Sequence, residues 1–143
     1  MTDPGTVWPY VAVAFVIATA WMVLARKEYR YNRRFPEVLG INVFPLVSWT
    51  AGLAVMMMLF DRLATALALR TLAAQAAVFS MVYWILLLAA ETIGYHVFNI
   101  HNDRTARCRG IPILNCMHAP GWMKAAYFAM GPVMFLSCRL IFH

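Results

Sequence analysis

Residues 4–25, 38–60, 71–90 and 110–142 form four apolar runs that leave almost no chain outside them. Each has ~20 or more mostly hydrophobic residues, enough for a helix to cross a ~30 Å hydrocarbon core. Helices rather than strands are expected. A spanning helix satisfies every backbone group internally, whereas a barrel strand needs about ten residues of apolar and polar alternation, which these runs lack. Hydrophobic residues make up 63% of the chain and charged ones 13%, against about 45–50% and 25% in soluble domains, so no segment is polar enough to fold separately. The sequence therefore predicts an all-α integral membrane protein in a plasma or inner membrane. Its single domain, residues 1–143, is a four-transmembrane-helix bundle with helices at about 7–25, 42–60, 71–102 and 120–142.

The net charge of +6 would suggest a nucleic-acid partner in a soluble chain. Here the basic residues cluster in two short connections, so their distribution reports topology and no nucleic acid is expected. Arg26, Lys27, Arg30, Arg33 and Arg34 lie in the first connection, and Arg104, Arg107, Arg109 and nearby Lys124 in or beside the third; only Arg62, Arg70 and Arg139 lie on the other side. The positive-inside bias puts loops 26–37 and 103–119 in the cytoplasm and both termini outside it. Met1 to Pro9 carries only Asp3 and lacks the basic start of a cleavable signal, so helix one is expected to persist.

Prolines mark the expected breaks. Pro36 stops the basic stretch from continuing as helix, and Pro45 within helix two predicts a kink or a helper bond from Ser48 or Thr50. Asp61 and Arg62 are expected to end helix two. Pro120 suits the first position of helix four, and Pro132 beside Gly131 frees the carbonyl of Phe128 and predicts a bend. Lys124 and Arg139 are too close in sequence to mark both surfaces without snorkelling.

Polar chemistry concentrates where helix three meets the third loop. At 100° per residue, Trp84, Glu91, Tyr95, Asn99 and Asn102 form one stripe, with Thr92 and His96 along its edge. With helix two ending at Phe60, Glu91 is the only acidic residue in any span, which makes it a functional candidate by default. Glu91, Tyr95 and His96 form the candidate catalytic set, with Glu91 as acid or base; Trp84, Asn99, Asn102 and Lys124 are candidate ligand-binding residues. An ion pair of Glu91 with Lys124 or a loop arginine is the structural alternative.

His96, His101, Cys108, Cys116 and His118 supply ligand types that zinc and softer metals accept, although seven residues between the two cysteines match no standard zinc spacing. His96 and His118 also present a haem-ligand possibility. The ten methionines read as packing rather than as a copper site. No phosphate-binding glycine loop, nucleophile elbow or H-E-x-x-H motif is present.

Two functional classes follow. Small size and the lack of a complete catalytic signature favour an accessory subunit of a larger membrane complex, its polar site contacting partner membrane subunits. The alternative is a membrane-embedded enzyme or binding protein acting on a lipid-like substrate, whether lipid, isoprenoid or quinone. Membrane lipids are expected neighbours in both, and a homo-oligomer is compatible with either.

Overall fold

The computed structural model describes residues 4–142 and is all-helical apart from one minimal hairpin. The helices are α1 (Pro4–Ala25), α2 (Val43–Ala66), α3 (Leu72–His96) and α4 (Gly121–Phe142). Each contains a stretch long and apolar enough to cross a membrane. Such helices mark an integral membrane protein built as a four-helix bundle. Two strands, β1 (Glu37–Val38) and β2 (Ile41–Asn42), pair antiparallel between α1 and α2. The turn between them places Leu39 and Gly40 at positive φ, 53° and 74°.

Asn42 closes the hairpin and also starts α2, its side chain accepting the N–H of Phe44. Pro45 consequently falls in the first turn of α2, where its missing N–H has no helical partner to lose. No kink is required there. Thr50 bonds the carbonyl of Leu46 at 2.8 Å, one turn back in its own helix.

α1 begins at Pro4, three residues before the expected start, and the C-terminal ends of α2 and α3 also differ from the sequence expectation. α2 continues through Asp61 and Arg62 to Ala66, because the Asp61 carboxylate is paired inside the bundle: Tyr10 donates to it at 2.5 Å and Arg139 at 2.9 Å. Glu91 is thus not the only acidic residue in a span. Ala68, at φ 48°, then ends α2, with Leu69 N–H returning to the carbonyl of Ala64. α3 stops at His96 rather than near Asn102, the backbone turning through Asn99 at φ 49°. The residues beyond bond to the first loop instead of extending the helix.

α1 packs along α2, and α3 along α4. In the core the rings of Phe60, Phe79 and Phe135 meet at centroid distances of 5.1–5.6 Å. Met22, Met57, Met123 and Met134, spread along the bundle, are also fully buried and fill gaps between helices. The α3–α4 contact is close at Gly131, where an added Cβ would lie 2.3 Å from the Tyr83 ring. That spacing lets Tyr83 donate its hydroxyl to the Tyr127 carbonyl at 2.6 Å.

Candidate functional site

α2 and α3 scarcely touch in the half of the bundle that carries the two basic loops, and a cavity of about 870 Å³ lies between them. Small residues make the space. Ser48 and Gly52 on α2, and Ala90 and Gly94 on α3, sit one turn apart in the cavity wall, and a Cβ added at either glycine would meet nothing within 4 Å. In other bundles such residues draw helices together. Here they leave room. The apolar wall residues Val55, Leu59, Leu86 and Ile93 remain 47–53% exposed, so the gap between the helices opens sideways, toward where lipid would lie.

The basic end is closed by the two loops, which are laced together. Tyr31 and Asn102 form a β-bridge, Asn32 N–H bonds the His101 carbonyl at 3.0 Å, and Asp103 N–H bonds the Arg30 carbonyl at 2.7 Å. Asn102 adds side-chain ties, accepting from Arg30 N–H at 3.0 Å and donating to the Glu28 carbonyl at 2.6 Å. Arg33 donates to the Phe98 carbonyl at 2.7 Å. These bonds take up the polar backbone past His96, which explains the early end of α3.

Glu91 lines the cavity five residues before the end of α3, or about 7 Å along the axis. Among the described residues it has no hydrogen-bond or ion-pair partner. Lys124 does not reach it, donating instead to the Arg109 carbonyl. The cavity it lines is also lined by eight aromatic side chains, Tyr29, Tyr31, Phe44, Trp49, Tyr83, Tyr95, Phe98 and Tyr127. Tyr29 is held rigidly, accepting the indole N–H of Trp21 at 2.9 Å and sharing a 2.8 Å hydroxyl contact with Tyr127. Burial pushes the Tyr29 hydroxyl up to about 12, with the Glu91 carboxylate contributing in the same direction. Burial likewise raises Tyr31, to which Tyr29 and Glu91 add.

Tyr95 gathers the histidines. Its ring stacks on His118 at 4.8 Å and 22°, and meets His96 at 5.0 Å and His101 at 5.8 Å. The His118 ring is fixed by contacts of Nδ1 with the Cys108 carbonyl at 2.9 Å and of Nε2 with the Asn115 carbonyl at 3.2 Å. Gly110 lies against it, and a Cβ there would approach the imidazole to 3.0 Å. His96 points Nε2 at the Leu114 carbonyl, 2.9 Å away, and His101 pairs with Asp103 at 3.3 Å.

The sequence candidates therefore separate. Glu91, Tyr95, His101, Asn102 and His118 line the cavity. Trp84, His96, Asn99 and Lys124 do not; Trp84 donates to the Phe128 carbonyl at 2.8 Å, and the Asn99 carbonyl accepts from the Asn32 side chain at 2.8 Å. Among the described residues no group of three or more His, Cys, Asp or Glu side chains could hold a metal ion. Within the expected metal set of His96, His101, Cys108, Cys116 and His118, the three histidines surround Tyr95 without sharing a centre: His96 and His118 turn to separate carbonyls, His101 pairs with Asp103, and Cys116 is fully buried. The ring nitrogens that would ligate a haem iron, Nε2 of His96 and both nitrogens of His118, are engaged by backbone carbonyls, so the residues as arranged fit neither group.

Sequence reasoning missed Tyr29, Tyr31, Trp49 and Tyr127. The two loop tyrosines stand within the basic run that reports topology, and their aromatic spacing was the available signal. A second cavity, of about 940 Å³, opens at the end carrying the termini and is lined by Tyr10, Asp61, Gln75 and Arg139 among others.

Comparison with protein-family models, with curated proteins and with solved structures finds no match to this chain.

Proposed function

We propose that this protein is a membrane-embedded binding protein for a lipid-like amphiphile. The ligand's tail lies in the apolar gap between α2 and α3, and its head lies at Glu91. The carrying observation is the cavity of about 870 Å³ that is apolar over most of its wall, opens sideways and is roofed by laced loops at its polar end. That volume falls within the ~300–1,000 Å³ typical of small-molecule sites. The lateral opening suits a ligand dissolved in the bilayer. In this reading the basic end faces the cytoplasm, Glu91 is the group able to exchange a proton with the head, and Tyr95 and His118 form a rigid aromatic wall beside it.

Glycine replacement tests the reading, since Gly52→Leu and Gly94→Leu would fill the cavity from opposite walls while meeting no neighbour at Cβ. The wild-type protein, solubilised gently, is expected to run without a larger partner and to carry a bound amphiphile detectable by mass spectrometry. Each leucine variant is expected to fold and to lose most of that amphiphile. A wild-type protein that carries none and dissociates unless a larger membrane complex is kept intact would overturn the proposal in favour of an accessory subunit.

A further inference from the structure

The charge pattern of the cavity narrows the ligand class, on the assumption that the cavity is a binding site as proposed above. We infer that the head group is cationic: an ammonium-type amphiphile held between the Glu91 carboxylate and the surrounding aromatic rings.

Three observations lead there. Among the described residues, Glu91 is the only carboxylate that lines the cavity and no lysine or arginine does, although nine basic residues lie in or beside the two loops that roof it. Two of those loop cations are bonded elsewhere, Arg33 to the Phe98 carbonyl and Lys124 to the Arg109 carbonyl. Second, neither cavity histidine bonds Glu91: His101 pairs with Asp103, and both ring nitrogens of His118 face backbone carbonyls. Third, eight aromatic side chains line the space that Glu91 enters.

These features discriminate among head groups. A phosphate or carboxylate head would meet a like charge in a space whose lining holds no lysine or arginine, which is costly. An uncharged hydroxyl could bond to Glu91 but would leave the negative faces of the rings unused. A cation uses both. It pairs with the carboxylate that has no partner and lies against ring quadrupoles, whose attraction for a cation strengthens as the cation is desolvated. The carboxylate gives direction, the rings enclose the bulk of a substituted ammonium, and the apolar gap accommodates the chain.

The test uses the purified protein in an uncharged maltoside detergent, titrated with three probes that share one chain: hexadecyltrimethylammonium, hexadecanol and hexadecyl phosphate. Bound probe is read by native mass spectrometry. The ammonium probe is expected to bind about tenfold or more tighter than the alcohol, with the phosphate weakest. In Glu91→Gln the advantage of ammonium over alcohol should fall to within about threefold. Equal affinity of the wild-type protein for ammonium and alcohol, or tighter binding of the phosphate, overturns the cationic head while leaving the lipid cavity standing. An undiminished ammonium preference in Glu91→Gln overturns the role of Glu91. Failure of all three probes to bind would sink the underlying cavity reading as well. Should Glu91→Gln not fold, the ranking of probes by the wild-type protein still decides the matter.

Discussion

The indole N–H of Trp84 on α3 donates, at 2.8 Å, to the carbonyl of Phe128 on α4, the carbonyl that Pro132 deprives of its helical partner. A proline that would otherwise leave an unsatisfied acceptor in a membrane helix thus becomes an attachment point for the next helix. Tyr83, the preceding residue, donates to the Tyr127 carbonyl beside it. Consecutive side chains of α3 therefore grip consecutive carbonyls of α4, and this grip fixes the wall of the cavity on which Glu91 stands.

The first prediction follows from that coupling. Trp84→Phe should destabilise the protein by about 1 kcal/mol, the order found for hydrogen bonds between membrane helices. Pro132→Ala supplies a new N–H to Phe128 O, so Trp84→Phe should cost clearly less in that background. A double-mutant cycle in reversible detergent unfolding reads the difference. Equal cost in both backgrounds would mean that the indole contributes packing alone.

The four helices were legible because length and apolarity are local properties of sequence. Helix ends were less so. Asp61 looks like a surface charge until Tyr10 and Arg139, 51 and 78 residues away, are seen to pair with it. The stripe extrapolated from Trp84 to Asn102 assumed that α3 continues, but the loop bonds of Asn32 and Asn102 reward a turn instead. Glu91 was legible as an ionisable group in an apolar run. The cavity beside it was not, since Gly52 and Gly94 read equally well as close-packing residues; only the placement of α2 relative to α3 shows that they face open space.

Asp61 should matter for stability rather than for ligand binding. It joins α1, α2 and α4 at the end opposite the laced loops, and its pair with Arg139 is partly shielded, with side-chain exposures of 32% and 14%. Because solvent screens part of this interaction, Asp61→Asn should cost about 1–2 kcal/mol, less than the loss of a fully buried partner. Tyr10→Phe, which removes one neutral donor, should cost less. Thermal unfolding with retained amphiphile binding in the surviving folded fraction is the expected pattern. Loss of binding without loss of stability would instead tie the termini end of the bundle to the ligand site.

Tyr29 gives the protein a defined alkaline limit. Burial raises its hydroxyl from the ordinary value near 10 to about 12 in the folded state. Between these two values the unfolded chain releases the proton and the folded protein keeps it, so the unfolded state binds fewer protons and stability falls as pH rises. One such group contributes a slope of about 1.4 kcal/mol per pH unit across that window and none below it. Tyr29→Phe should therefore flatten the pH dependence of stability between pH 10 and 12 by about one proton, despite losing the hydroxyl contacts to Trp21 and Tyr127 and being less stable at neutral pH. Unfolding free energy measured at several alkaline pH values, together with tyrosinate absorbance, tests this. An unchanged slope in Tyr29→Phe would show that the hydroxyl is hydrated in the membrane-bound protein, and with it that the aromatic wall beside Glu91 is wet rather than closed.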